Sequence, residues 1–87
     1  MNRVLQMAVV DPLGIHARPA STLSVAVKRS GAKMRIRFGD RSADAASVVQ
    51  LLGLGARLGS VVSIEIEGEP QAADTAQAAL SELFGPA

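Results

Sequence analysis

The chain lacks cysteine, tryptophan and tyrosine, and it contains a single histidine and two phenylalanines. Without cysteine, disulfide bonds, thiol catalysis and thiolate metal sites are excluded. One histidine cannot build a histidine-rich metal site, and we therefore expect neither a metal nor a cofactor. The scarcity of aromatic rings also argues against a stacking platform for single-stranded nucleic acids.

An excess of charge of either sign is missing as well. Nine Lys and Arg residues nearly balance eight Asp and Glu residues, which leaves a net charge of +1. This balance argues against DNA or RNA as a partner. No apolar run approaches the roughly 18 residues of a membrane span, and the first residues do not resemble a signal peptide. We therefore expect a cytoplasmic monomer without membrane insertion.

The chain does contain enough apolar residues for one small core. It is 87 residues long and 48% hydrophobic, so we expect a single domain that spans residues 1–87. Because aromatic side chains are rare, the core must be built mainly from Val, Leu, Ile, Ala and Met.

Alternation of apolar and polar residues predicts four strands. The clearest lies at residues 33–38, where Met34, Ile36 and Phe38 point to one face and three basic residues point to the other. This pattern is typical of a sheet with one covered and one solvent-exposed face. Residues 61–67 alternate in the same way with glutamates on the outer face, so the two strands would form opposite-charge pairs as neighbours. The other two strands are predicted at residues 3–10 and 41–44.

Capping and helix-breaking residues predict three helices between and after these strands. Pro19 fits the first turn of a helix that Gly31 ends. Ser47 fits the N-cap of a second helix that runs to Leu52, and Pro70 fits the start of a third. The predicted order is β-α-β-β-α-β-α. It describes an α+β fold in which helices cover one face of a four-stranded sheet and form a two-layer sandwich.

The segment "GIHARPAS", residues 14–21, carries the only histidine at the predicted start of the first helix. The first backbone N–H groups of a helix lack intrahelical partners, and the helix dipole adds partial positive charge there. Together with the guanidinium of Arg18 they form a candidate anion site. A neutral His16 has a free ring nitrogen that can attack a phosphoryl group. The oxygens of the resulting phosphohistidine would lie at this anion site.

Other interpretations of His16 are open at this point. A single histidine in a surface turn often serves only as a polar turn residue or a helix cap. A catalytic triad is not supported, because no Ser or Cys has a second histidine or an orienting partner. An independent enzyme is not supported either, because one His and one Arg supply no acid–base pair. A small regulatory ligand-binding sandwich is the alternative from a different class, but it does not explain Gly14, Arg18 and Pro19 together.

The chain resembles the HPr family, the histidine-containing phosphocarrier proteins of the bacterial phosphoenolpyruvate-dependent sugar phosphotransferase system. The main match is the ungapped motif "GIHARPA" at residues 14–20. The segment "SVVQLLGLGARLG" at residues 47–59 resembles the family's regulatory-serine helix and the loop after it. The segment "VSIEIEGE" at residues 62–69 resembles the strand and turn before the last helix. The resemblance covers essentially the whole chain and implies an open-faced β-sandwich with an antiparallel sheet.

The resemblance also implies a phosphocarrier rather than an independent enzyme. His16 would accept a phosphoryl group on Nδ1 from phosphorylated enzyme I and pass it to a sugar-specific enzyme IIA, while Arg18 would contact the phosphoryl group. Ser47 matches the serine that an ATP-dependent HPr kinase modifies in many relatives. The partner-binding face that the resemblance implies comprises Ala17, Ser21, Val48, Val49 and Leu52.

The chain departs from the family pattern in the segments around its motifs. Residues 11–13 read Asp-Pro-Leu where many members have Asn close before the glycine, and Ala46 stands where Lys often precedes the serine. Val25 and Gln50 stand where some members carry Lys. We therefore expect the surface that faces the partners to be less basic and more apolar than in those members. Close relatives within the same carrier class are kept as an alternative: an HPr-like carrier of a nitrogen-regulatory branch or of a dihydroxyacetone phosphorylation branch.

Overall fold

The computed structural model describes residues 2–87 and contains five strands and three α-helices. The strands are β1 (Asn2–Val9), β2 (Lys33–Phe38), β3 (Arg41–Asp44), β4 (Val61–Glu67) and β5 (Phe84–Pro86). The helices are α1 (Ala17–Ser30), α2 (Val48–Leu52) and α3 (Pro70–Ala78), the last continued by a 3₁₀ turn at Ala79–Glu82. The predicted order of elements is confirmed up to α3.

The five strands form one sheet in the order β3-β2-β4-β1-β5, and every neighbouring pair is antiparallel. The α+β class and the open-faced sandwich are therefore confirmed. The sheet has one strand more than the four expected. Residues 84–86 read Phe-Gly-Pro and show no alternation, so their pairing with the end of β1 is not visible in the local pattern. Contact with β1, where Phe84 lies opposite Val9, makes this segment a strand.

The core lies between the sheet and the helices, and the alternating strands supply one side of it. Met34 lies opposite Ile66 and Ile36 lies opposite Ile64, and all four side chains are buried. Direct pairing of buried aliphatic side chains specifies the register, because a slip by one residue would expose the whole set.

The opposite face of the same two strands is charged and open to solvent, as the alternation predicts. Lys33 lies opposite Glu67, and Arg35 lies opposite Glu65. The closest ion pair is diagonal, because Arg37 Nε donates to Glu65 Oε1 at 2.6 Å. Both side chains are about half exposed, so we assign this pair a role in register more than in stability.

Helix α1 is fixed against the start of α2 by a buried polar contact. Ser24 is 1% exposed, and its Oγ donates to the Ala46 carbonyl at 2.7 Å. Ala20, Leu23 and Val27 fill the core beside it. The middle of α1 is thereby held against the turn that precedes α2. No helix within residues 2–87 has the length and hydropathy that crossing a bilayer requires.

Candidate functional site

The only histidine of the chain stands at the start of α1, where the sequence predicts it. His16 is the N-cap residue, with an extended backbone (φ −128°, ψ 171°), and its carbonyl accepts a hydrogen bond from the Ala20 N–H at 3.1 Å. Its side chain makes no capping hydrogen bond. The N–H groups of Ala17 and Arg18 therefore have neither an intrahelical partner nor a side-chain cap. This helix end is suited to holding an anion.

The first turn of α1 has one buried side and one exposed side. Pro19 and Ala20 are buried and anchor the turn in the core, whereas Arg18 is exposed. The Arg18 carbonyl accepts a hydrogen bond from Thr22 Oγ1 at 3.2 Å. None of the three ion pairs formed within residues 2–87 involves the Arg18 guanidinium. The structure thus presents this cation to solvent, two residues after His16.

The loop before His16 depends on a glycine at position 14. Gly14 has a φ of +72°, and its N–H donates to the Asp11 carbonyl at 2.9 Å, which closes a turn. A Cβ at this position would lie 3.0 Å from the Ala56 carbonyl oxygen and 3.4 Å from the Arg57 Cα. A larger residue is therefore excluded both by backbone strain and by the packing of this turn against the loop that follows α2.

Asp11 contacts the ring of His16, a contact that sequence analysis missed. Asp11 Oδ2 lies 2.9 Å from His16 Nε2, and Asp11 Oδ1 accepts the backbone N–H of Leu13 at 2.9 Å. Both side chains are partly buried, with 34% of His16 and 20% of Asp11 exposed. The sequence signal for this contact is the Asp-Pro-Leu-Gly stretch. An aspartate in such a turn accepts the backbone N–H two residues later with one oxygen, which leaves its second oxygen available to another donor.

The same contacts keep the Asp11 carboxyl ionised. Its pKa is lowered from the ordinary value, first by the hydrogen bond from the Leu13 N–H and then by the hydrogen bond to His16, while desolvation opposes the shift. An ionised carboxylate only accepts hydrogen bonds. The site therefore contains a negative group beside His16 Nε2. The sequence predicted only positive groups there, namely the helix end and Arg18.

Ser47 is the N-cap of α2, as predicted. Its backbone is extended (φ −117°, ψ 111°), and its Oγ accepts the Gln50 N–H at 3.2 Å. The turn before it is closed by Asp44 Oδ1, which accepts the Ala46 N–H at 2.9 Å. Ser47 thus has a structural role at this position whether or not it is modified.

The residues predicted to bind partners differ in exposure. Val49 is 81% exposed and Leu52 is 43% exposed, whereas Val48 is partly buried against the core. On α1, Ala17 and Ser21 are exposed and lie on one side of the helix at a spacing of four residues. Two of the three aliphatic residues of α2 in this set, Val49 and Leu52, are thus exposed.

Comparison with solved structures identifies the class of protein to which this fold belongs. The phosphocarrier protein HPr of Bacillus anthracis superposes with a TM-score of 0.81 at 22% sequence identity, covering 94% of this chain and 96% of that chain. The fold is therefore that of the histidine-containing phosphocarriers.

Comparison of sequences identifies the family. The phosphocarrier protein HPr of Lysinibacillus sphaericus is 37% identical over 79 residues, covering 91% of this chain and 88% of that protein. The phosphocarrier protein NPr of Shewanella violacea is 35% identical over 78 residues, covering 90% and 84%. The family described as PTS HPr component phosphorylation site matches residues 5–85. The chain belongs to this HPr family; it is a phosphocarrier of the phosphotransferase system and not an independent enzyme.

Proposed function

We propose that His16 carries the phosphoryl group, accepting it from phosphorylated enzyme I and passing it to a sugar-specific enzyme IIA. The observation that supports this assignment is a histidine at the start of a helix whose first N–H groups it does not cap. Its Nε2 is hydrogen-bonded to Asp11, and its Nδ1 does not take part in that hydrogen bond. Residues 1–87 act in this proposal as a single carrier domain, a monomer in the cytoplasm, where phosphoenolpyruvate is available.

The transfer step needs no proton to leave the carrier. The Nδ1 lone pair of a neutral His16 attacks the phosphorus of the donor's phosphohistidine, and a new N–P bond forms. The N–P bond of the donor breaks, and its electron pair returns to the donor imidazole. His16 Nε2 keeps its proton throughout. Delivery to enzyme IIA is the same exchange, with His16 as the leaving imidazole.

Arg18 and the open helix end stabilise the transferred group. The phosphoryl oxygens approach the N–H groups of the first turn, which are oriented before the reaction and need little reorganisation. The exposed guanidinium of Arg18 binds two phosphoryl oxygens at once. The phosphoryl group is attached to His16 at the end of acceptance and at the beginning of delivery. Arg18 therefore contacts it in both steps of the relay.

The test is an intact-mass measurement of the protein with enzyme I and phosphoenolpyruvate. We expect a mass increase of one phosphoryl group, stable in alkali and lost in mild acid, as for phosphohistidine. No mass increase with an enzyme I that phosphorylates another HPr would contradict the proposed function. A mass increase that survives mild acid would place the group on a hydroxyl and contradict His16 as the acceptor.

The proposed docking face for both partners surrounds His16 and comprises Ala17, Ser21, Val48, Val49 and Leu52. The exposed aliphatic side chains of α2 support this choice, because exposed apolar groups often mark interaction sites. The buried Ser24 hydroxyl, bonded to the Ala46 carbonyl, holds α1 and α2 in a fixed relation. A partner can therefore bind both helices as one rigid surface.

Regulation at Ser47 is proposed as an additional property. An HPr kinase would transfer phosphate from ATP to the Ser47 hydroxyl, beside the exposed Val49. The added negative charge would repel an acidic partner surface while the start of α2 tolerates it.

A second candidate pathway is supported by the similarity to a nitrogen-branch carrier. The NPr protein of Shewanella violacea is 35% identical, close to the 37% of the HPr protein of Lysinibacillus sphaericus. Phosphoryl transfer from the phosphorylated chain to a sugar enzyme IIA and to a nitrogen-branch enzyme IIA, measured side by side, distinguishes the two. Faster transfer to the nitrogen-branch protein would favour this second pathway.

A further inference from the structure

We infer that Asp11 is a positioning residue for the carrier histidine: it holds the Nε2–H of His16, leaves the lone pair on Nδ1, and balances the positive charge of the phosphorylated ring. This inference deepens the proposed function and rests on it. The aspartate belongs to the segment in which the chain departs from the family pattern, Asp-Pro-Leu at residues 11–13.

The Asp11 carboxylate is oriented by the backbone and not by the histidine. Its Oδ1 accepts the Leu13 N–H at 2.9 Å, and the Asp11 carbonyl accepts the Gly14 N–H at 2.9 Å. Packing of Gly14 against the loop that contains Ala56 fixes this turn in the fold. Oδ2 is consequently held toward His16 before any reaction takes place, which is the arrangement of a preorganised site.

The chemistry of the contact determines where the ring proton resides. Asp11 is ionised, because the Leu13 N–H and His16 both lower its pKa. Since a carboxylate has no proton to donate, the 2.9 Å contact requires a proton on Nε2. A neutral His16 then has its lone pair on Nδ1. The aspartate of a Ser-His-Asp triad selects the tautomer of its histidine in the same way.

The charge of Asp11 also complements the product. After Nδ1 has formed its bond to phosphorus, the ring carries a phosphoryl group on Nδ1 and a proton on Nε2, and it is cationic. The other charged side chains of residues 9–21 and of the loop at residues 53–60 are Arg18 and Arg57, and both are positive. Asp11 is thus the only acid in these two segments and faces the ring from the side opposite to the transferred group.

A second aspartate of the chain provides a matched control. Asp44 makes the same bond to the backbone N–H two residues later, to Ala46 at 2.9 Å, but no histidine contacts it. Asp44 therefore shares the turn contact of Asp11 and lacks its contact with a histidine ring. Asp11→Asn and Asp44→Asn change the two turns in the same way, and only the first also alters a ring contact.

The experiment measures the ¹⁵N chemical shifts of the single histidine in the unphosphorylated protein, together with the rate of phosphoryl acceptance from enzyme I. In Asp11→Asn the amide oxygen stays on the Leu13 N–H, so its NH₂ group faces Nε2 and donates to it. We expect the ratio of the Nε2–H to the Nδ1–H tautomer to fall about tenfold or more, and acceptance to slow by about tenfold. Asp44→Asn is expected to leave both unchanged.

Asp11→Ala serves as a second variant and is expected to give a mixture of tautomers and an intermediate rate. The inference would be overturned if Asp11→Asn had the same ¹⁵N ring shifts and the same rate of phosphoryl acceptance as the unmodified protein. An altered tautomer with an unaltered rate would overturn it as well. The shifts require no partner, so a protein that accepts no phosphoryl group but shows the expected tautomers would contradict the proposed function alone.

Discussion

The starts of α1 and α2 are built alike and completed differently. In both, an aspartate accepts the backbone N–H two residues later, Asp11 from Leu13 and Asp44 from Ala46, and an extended N-cap residue follows. At α2 the N-cap side chain, Ser47, caps its own helix. At α1 the N-cap side chain, His16, bonds to the aspartate instead and leaves the helix end open.

This difference separates a structural helix start from a reactive one. A capped helix end has satisfied one of its free N–H groups and gains stability. An uncapped end keeps its N–H groups and its partial positive charge for an anion from outside. The start of α1 lacks the stabilisation of a side-chain cap, and Pro19 and Ala20 supply anchoring from the core instead.

The largest effect is expected from His16→Ala, which removes the reactive side chain from the open helix start. Phosphoryl acceptance from enzyme I should be abolished, because no other side chain in the protein offers an imidazole. The thermal midpoint should change little, since His16 does not cap α1. Intact mass and a melting curve measure the two. A variant that still gains a phosphoryl group at the normal rate would refute the assignment of His16.

Arg18→Lys tests the open end by retaining the charge and removing the planar guanidinium. We expect acceptance and delivery to slow by about tenfold each, because the ammonium group cannot bind two phosphoryl oxygens in parallel. Binding to unphosphorylated enzyme I should be less affected. Rates equal to those of the unmodified protein in both directions would show that Arg18 is only an exposed helix residue.

Val49→Asp tests whether the start of α2 is part of the docking face. Val49 is 81% exposed, so the substitution should leave the fold intact. It should raise the KM of enzyme I for this carrier as its substrate by roughly three- to tenfold. Val61→Asp is the matched control, because Val61 is also exposed, at 52%, but lies on β4 of the sheet. Equal KM values for the two variants would count against the docking face.

The smallest effect is expected at the capped helix start. Ser47→Ala removes the acceptor for the Gln50 N–H and should lower the free energy of unfolding by about 0.5–2 kcal/mol. Phosphoryl acceptance by His16 should remain normal. Denaturant unfolding and a transfer assay measure the two. A slower transfer in Ser47→Ala would mean that the cap also positions the reactive site.

Ser47→Asp separates the cap from the proposed regulation. The carboxylate keeps a capping oxygen and adds negative charge, so stability should be retained while transfer slows by several-fold. Ala46→Asp places the same charge one residue earlier and keeps the Ser47 cap. Because Ala46 is partly buried against the core, the stability of this control is measured beside its transfer rate. Normal transfer in Ser47→Asp would remove the basis for regulation and leave Ser47 as a cap.

The sequence by itself determined the features that depend on neighbouring residues. Alternation identifies β2 and β4 because side chains of a strand point to opposite faces in turn. Pro19 and Gly31 mark the ends of α1 because each suits a backbone conformation found at a helix end, and the structure has α1 at Ala17–Ser30 with a left-handed Gly31 after it. The position of His16 beside Arg18 at a helix start follows from the same local signals.

Only the tertiary structure decided the contacts that join distant segments. The strand order, the pairing of Phe84 with Val9 and the bond between Ser24 and Ala46 connect residues whose contact no local pattern encodes. The Asp11–His16 contact belongs to this group although the two residues are only five positions apart in the chain. Its geometry depends on the turn at Gly14, and that turn is held by packing against a loop some 40 residues later in the chain, at Ala56. Local sequence could place a histidine at an open helix end, but the negative group that orients its ring required the folded chain.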